Sequence, residues 1–412
     1  MNKKHRRILK IPQSHCRTIL DAPLVICMVC FFLIFGSPAV SGSGNGTMPT
    51  VKKLRVADVP GFSDDLDYHL LGEAVRGSLG YYEKLPAEKP IRFGDRRFSA
   101  GHLRRTMARF LAAIESQPPS AVLAAYLCAF FDVYAYYNEE GVHPVLFTGY
   151  YEPMLRGSRQ RTGRFHYPVY ARPDDLVTLG PDHTAKNDGI GRYAGNTFGP
   201  YYSRRQITVM DPSDFRAPVI AWVDDPVALF FLHIQGSGKI RLENNDIINV
   251  HYRITNGHPY KSIGKYLIDK KKLSKEAVSM QTIQAYLNAH PAEMDAILNY
   301  NPRYVFFDVA ARGAVGCFDI ELTPGRSLAL DREISPAAAL IFVETQKPEC
   351  DASGSIEGWT RFSRFFLNQD TGSAIKGPGR ADIFWGNGGY AELAAGHLQH
   401  PGTLYFLVLK PD

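Results

Sequence analysis

Residues 367–389 read LNQDTGSAIKGPGRADIFWGNGG. Apolar residues stand at both ends and glycine and proline crowd the middle. That texture predicts two short strands joined by a turn, not a helix. The same texture surrounds it. RYVFFDV (303–309), SLALDREI, AALIFVET, FSRFFLNQDTG, ADIFWG and TLYFLVLK are short strand candidates with Gly/Pro turns and no long helix between them. Such a run predicts a small barrel rather than a doubly wound parallel sheet. The quoted stretch also carries two aspartates, Asp370 and Asp382, twelve residues apart. They are a catalytic pair, one catalytic acid with a helper, or two ordinary turn aspartates.

Upstream the pattern differs. LDYHLLGEAVRGSL, AGHLRRTMARFLAAIESQ and SAVLAAYLCAFFDVYAYYN carry apolar residues at helical spacing, so residues 50–145 read as helical. The texture changes at Pro144. VLFTGYYEP (145–153) is β-branched and aromatic and ends at proline, a strand signature. Residues 150–255 are dense in Tyr, Gly and Pro, with strand candidates FHYPVYA, PVIAWV and ALFFLHIQGSGKIRL. KSIGKYLIDKKKL and SMQTIQAYLNAHPAEMDAILN then read as helices.

The first forty residues are a different material. MNKKHRRILK is basic, residues 22–36 form an apolar run, and GSPAVSGSGNG follows. This predicts an export signal over residues 1–41, cleaved near residues 39–41. The apolar run is short for a spanning helix. Neither Cys27 nor Cys30 follows the apolar run behind a small residue, so no lipid-attachment cysteine is expected. Residues 1–39 hold six of the 47 Lys/Arg and one of the 41 Asp/Glu, which leaves 41 against 40 and a net charge of +1. The overall +6 therefore belongs to the leader, and a nucleic-acid partner is not expected. Cys128, Cys317 and Cys350 remain after the leader. In an oxidising compartment the expected pair is Cys317–Cys350, since Cys128 sits in a helical apolar stretch. There is no CxxC, and His397 and His400 lack further ligands nearby, so no metal site is expected.

Several stretches together resemble the membrane-bound lytic murein transglycosylase A (MltA) family. They are FTGYYEP (147–153), GRFHYPVYARP (163–173), YYSRRQI (201–207), HIQGSGKI (233–240), NGHPYKSIGKYLID (256–269), NPRYVFFD (301–308), GRSLALDREISP (325–336) and QDTGSAIKGPGRADIFWG (369–386). The resemblance runs from about residue 55 to the C-terminus. It implies a mainly β protein with N-terminal helices, in which a double-psi β-barrel is assembled from both ends of the chain. Residues 50–147 and 303–412 would supply the helical segment and the barrel. Residues 148–302 would form an inserted, β-rich domain, with a groove between the two.

The implied activity is cleavage of the β-1,4 bond from N-acetylmuramic acid to N-acetylglucosamine in peptidoglycan, leaving a 1,6-anhydro end. An ordinary glycosidase uses two carboxylates. Here the attacking group is the tethered C6 hydroxyl of the same sugar, so one carboxyl can protonate the leaving oxygen and then take the C6 proton. The family's catalytic aspartate, in an Asp-Ile-aromatic segment before a glycine loop, falls on Asp382. Arg380-Ala381 stands before it where family members often have His-Phe. Asp370 matches a supporting aspartate, with Lys376 as a cation beside it. Burial beside Ile383, Phe384 and Trp385 would raise the Asp382 pKa.

Gln235, Gly236 and Ser237 resemble the family's groove-lining loop, where small residues let a sugar approach the backbone. Equally they form a bulge or tight turn. Thr148, Tyr150 and Tyr151 present a hydroxyl and rings to the sugar, or pack a hinge. Tyr193, Tyr201, Tyr202 and Arg204 read as a polar-aromatic patch, or as surface packing.

The expected partners are peptidoglycan glycan strands and cell-wall synthesis or division proteins. The chain is expected to be a monomer, exported to the periplasm and associated with the outer membrane. No cofactor is implied. Two other readings remain open: a β-1,4-glycan hydrolase with two carboxylates, and a non-catalytic, expansin-like wall-binding protein. Asp-Thr-Gly also occurs in aspartic proteases, which need two such loops; only one is present here.

Overall fold

The computed structural model describes residues 50–179, 189–275, 277–351, 354–372 and 375–411. The expected export signal, residues 1–41, lies outside the described residues. No helix among the described residues is long and apolar enough to cross a membrane.

The chain opens with β1 (Thr50–Lys53), α1 (Leu71–Glu83), the hairpin β2 (Pro90–Phe93) and β3 (Arg96–Ser99), and helices α2 (Ala100–Ile114) and α3 (Ser120–Phe130). Strands β4 (Phe131–Asn138), β5 (Gly141–Val142) and β6 (Val145–Tyr150) follow. The middle of the chain holds β7 (Met154–Ser158), β8 (Tyr167–Tyr170), β9 (Val177–Thr178), β10 (Ile190–Ala194), β11 (Thr197–Pro200), α4 (Arg204–Val209), β12 (Val219–Val223) and α5 (Pro226–Gln235). It continues through β13 (Ser237–Leu242), β14 (Ile247–Thr255), α6 (Ile263–Asp269), α7 (Met280–Ala289), α8 (Pro291–Leu298) and β15 (Val305–Ala310). The last part carries β16 (Ser327–Ala329), β17 (Leu340–Cys350), β18 (Ile356–Asp370), β19 (Arg380–Phe384), α9 (Gly389–His397) and β20 (His400–Leu409).

Strands β6, β20, β17, β18, β16 and β19 hydrogen-bond in a closed ring. This is the barrel expected from both ends of the chain: β6 comes from the first part and the other five from the last. Two of its contacts are parallel, β19 with β6 and β16 with β18; the rest are antiparallel. Closure leaves no edge in the ring, so every interior position can be apolar. Phe147, Leu328, Ile341, Leu367, Ala381, Ile383 and Phe406 are accordingly buried in one cluster.

α1 and α2 pack on this barrel, and the join carries a buried charge. Arg326 is fully buried and its guanidinium donates to both carboxylate oxygens of Asp64, at 2.6 and 2.9 Å. Asp64 also accepts the Phe365 amide at 3.1 Å, so the segment before α1 is fixed to the barrel by paired, satisfied charges.

A second sheet has the order β15-β14-β13-β7-β12-β8. Its core is Leu155, Val169, Val223, Ile240, Val250 and Phe307, with Leu229 and Leu232 of α5 packed in.

Three local expectations are corrected. FDVYAYYN, read as the tail of a helix, is strand β4, held between β1 and β20. Its β-branched and aromatic residues fit a pleated surface better than a helix. ALFFLHIQ, read as strand, is helix α5. Asp225 caps it by accepting the Val227 and Ala228 amides, Pro226 opens it, and Gly236 ends it in the left-handed region at φ 80°. These start and stop signals outweighed the continuous apolar run. RYVFFDV, expected to begin the barrel's second half, instead supplies β15, which pairs with β14 in the inserted sheet.

The expected Cys317–Cys350 disulfide is also absent: both cysteines are free. The Cys317 amide donates to Asp370 at the end of β18, at 2.9 Å, while Cys350 pairs with Ile356 at its beginning. The 15-residue strand between them, up to about 46 Å long if straight, keeps them at opposite ends and beyond disulfide reach. Thiol titration of the denatured, oxidised protein beginning after the leader is expected to return all three cysteines; one thiol alone would mean the pair is bonded.

Candidate active site

Asp382 sits in the middle of β19, between β6 and β16, opposite Thr148 on one side and Ala329 on the other. Strand alternation sends Ala381 and Ile383 into the barrel interior. Asp382 and Phe384 therefore face the opposite way, where Phe384 packs with Tyr150, Ala314, Leu322 and Ala329 in a small separate cluster. The residue is 6% exposed.

Thr148, buried at 2%, donates its hydroxyl to Asp382 Oδ1 at 2.9 Å. The same oxygen of Thr148 accepts Arg380 at 3.3 Å. Burial dominates the acidity and pushes the Asp382 carboxyl up to about 7, against the lowering effects of Thr148 and Arg380 and with a further push from Asp370. An aspartate in this state still holds its proton near neutral pH. Of the three apolar neighbours named from the sequence, only Phe384 shares the side of Asp382; Ile383 and Trp385 join the interior cluster.

Asp370 stands at the end of β18, facing the same cluster. One carboxylate oxygen accepts the Tyr150 hydroxyl at 2.9 Å and the other accepts the Cys317 amide at 2.9 Å. Burial raises its pKa as well. Burial and then the Asp370 carboxylate push the Tyr150 phenol well above its usual range, so it stays protonated and donates. The segment carrying Cys317 reaches the barrel closely: a Cβ at Gly316 would lie 2.1 Å from the Gln369 carbonyl oxygen, so only glycine fits. Gly149, between Thr148 and Tyr150, is constrained in the same way by Trp385, whose Nε1 would be 2.6 Å from a Cβ there.

The other sequence candidates disperse. Lys376 turns to Glu333 and Asp331, at 3.5 and 3.8 Å, rather than to Asp370. Gln235, the last residue of α5, accepts the Tyr151 amide at 3.2 Å, which ties the inserted sheet to the end of β6. Gly236 is the helix cap and Ser237 begins β13, paired with His251. Tyr151 is buried at 6% and lies against Glu392. Arg204 is buried and bonded to His233 and the Asn301 and Arg303 carbonyls, between the rings of Phe230 and Tyr304, so it is a packing element.

A cleft of about 220 Å³ opens beside Tyr151, Arg156, Asp224 and Glu392. None of Thr148, Tyr150, Asp370 or Asp382 lines it. The two perturbed carboxyls therefore stand apart from this cleft.

Three further groups were hardly legible in the sequence. Arg380 was legible only as a departure before Asp382. Cys317 acts through its backbone, which no side-chain motif reveals. Glu152, in GYYEP, is 3% exposed and pairs with Lys239 of β13 at 3.3 Å. It stands two residues beyond Tyr150 and fixes the path of the chain out of the barrel.

Thr148→Val removes a hydrogen bond that favours the ionised carboxylate, so the Asp382 pKa should rise. The alkaline limb of the kcat/KM profile is expected to move to higher pH. An unmoved limb, or one shifted downward, would disconnect Thr148 from the titrating group.

Comparison with known proteins bears on this geometry. Residues 146–308 match the model of the MltA specific insert domain, and residues 326–408 match the 3D domain. The chain is 32% identical over 270 residues to membrane-bound lytic murein transglycosylase A of Escherichia coli K12, a match spanning 65% of this chain and 66% of that protein. It is similar in structure to a membrane-bound lytic murein transglycosylase from Agrobacterium tumefaciens, at 28% identity and a TM-score of 0.72, covering 87% of this chain and 98% of the other. It also resembles the lytic transglycosylase LtgG of Burkholderia pseudomallei, at 30% identity and a TM-score of 0.57, covering 88% and 96% of the two chains.

Proposed function

The chain belongs to the MltA family of lytic murein transglycosylases, and from that premise we propose that it cleaves the MurNAc-β-1,4-GlcNAc bond of peptidoglycan with Asp382 as the single acid and base. The observation that carries this reading is the buried Asp382 carboxyl, pushed up to about 7 and bonded at one oxygen by Thr148. The other oxygen, Oδ2, carries the proton. Asp382 gives that proton to the glycosidic oxygen as the C1–O bond breaks. The C6 hydroxyl of the same sugar closes on C1, and the Asp382 carboxylate takes the C6 proton. The acid is restored and a 1,6-anhydro end is left, with no water consumed.

Asp370 supports this reading over two-carboxylate hydrolysis. Both its oxygens are engaged, by Tyr150 and by the Cys317 amide, so it is poorly placed to activate water. It acts instead by raising the Asp382 pKa and holding Tyr150. Ser237 and the backbone around Gly236, at the start of β13, form the sugar-facing end of the inserted sheet in this proposal, and Gln235 and Tyr151 set its position relative to the barrel. The substrate is the glycan strand of murein. The protein works as an exported, envelope-located enzyme.

Digestion of intact peptidoglycan followed by mass analysis of the released muropeptides tests the reading. Products one water lighter than hydrolytic ones are expected. Hydrated products would make the protein a hydrolase. Retention on the sacculus without any release would make it a binding protein.

A further inference from the structure

α3 reads SAVLAAYLCAF and carries no charged residue. A helix that is apolar on all sides belongs inside a core or against lipid. Yet only Leu123 and Leu127 of α3 are buried. Val122 is 57% exposed and Phe130 43%, and Ala121, Ala125 and Ala129 are exposed beside them.

Cations surround this face. The Arg109 guanidinium lies 5.2 Å from the Phe130 ring and 5.9 Å from that of Tyr126. Arg105, one turn earlier on the same side of α2, is exposed. The Lys410 ammonium donates to the Cys128 and Ala129 carbonyls at 2.8 Å, at the C-terminal end of α3. The 36 residues from Arg96 to Phe131 hold five arginines and a single acid, Glu115, whereas the chain without its leader is close to neutral.

We propose that α3, with Arg105, Arg109 and Lys410, is a seat for an anionic phospholipid surface. The Val122 and Phe130 side chains enter the boundary between headgroups and acyl chains, and the cations meet the phosphates. The 11-residue helix is only about 16 Å long, so it lies on the bilayer rather than crossing it. A second protein would explain the apolar face alone; the surrounding cations favour phosphate.

The test places a reporter in the full chain at Val122→Trp. Vesicles of phosphatidylcholine are prepared with and without phosphatidylglycerol, each with and without brominated acyl chains. With phosphatidylglycerol present, the added tryptophan is expected to shift to the blue and to be quenched by bromine. The double change Arg105→Gln and Arg109→Gln should weaken that signal roughly 30-fold in lipid concentration. Tethering through the leader alone would leave the tryptophan unquenched and overturn the proposal. So would quenching that ignores phosphatidylglycerol and the double change, or a blue shift that follows protein concentration without lipid, which would mean a second copy covers α3. Release of fragments from soluble glycan by these variants is expected to be unchanged, which separates this surface from the lytic reading.

Discussion

Asp382→Asn is expected to lower muropeptide release on the order of 10³-fold, the usual scale for loss of a positioned general acid, while making the protein more stable at neutral pH. The two effects share one cause. Burial holds the Asp382 carboxyl at about 7, well above its ordinary 3.8. The folded chain therefore binds this proton more tightly than the unfolded chain does. The resulting stabilisation is complete below about pH 4 and is lost as pH rises through about 7. Asparagine has no charge to bury and escapes that loss. The variant's stability advantage should grow between pH 4 and 7 and level off above, reaching a few kcal/mol at most, and its thermal midpoint should rise accordingly. Circular dichroism melts across this range, paired with product analysis, read both effects. An inactive variant with no pH-dependent gain would mean that Asp382 is ionised at neutral pH, and that the loss of activity has another origin.

The second large effect lies far from the chemistry. Asp64→Ala should destabilise the protein by about 3–5 kcal/mol, because it leaves the fully buried Arg326 without its partner. Asp64 also accepts the Leu66 and Tyr68 amides, so the entry to α1 loosens at the same time. Replacing both residues, Asp64→Leu with Arg326→Met, should recover much of the loss, since no unpaired charge then remains. Urea titrations of the two variants measure this. A double variant no more stable than Asp64→Ala would show that the backbone bonds of Asp64, rather than the charge, hold the helices to the barrel.

Much of this protein could be read locally. Periodicity located α1 and α2, and alternating β-branched and aromatic runs located β6, β12, β15 and the strands of the last part. The glycine-rich turns between those strands indicated a barrel. Where local reading failed, two signals competed. The run ALFFLHIQ is too apolar to show its period, and only Asp225, Pro226 and Gly236 mark it as α5. FDVYAYYN follows a helix without a break, and only pairing with β1 and β20 makes it a strand. Lys376 stands near Asp370 in sequence, but its ammonium goes to the acids of the 331–333 turn.

The sequence by itself determined most of the element types, the two aspartates and the family, because these depend on residue kind and order. Tertiary structure alone decided what surrounds the aspartates. Thr148 meets Asp382 from 234 residues away and Tyr150 meets Asp370 from 220 away, through ring closure between β6 and β19. A pKa depends on solvent exclusion and on the donors and charges within a few ångströms, and no local window contains those. Tertiary structure also set Cys317 and Cys350 at opposite ends of β18 and left α3, apolar yet half uncovered, on the surface.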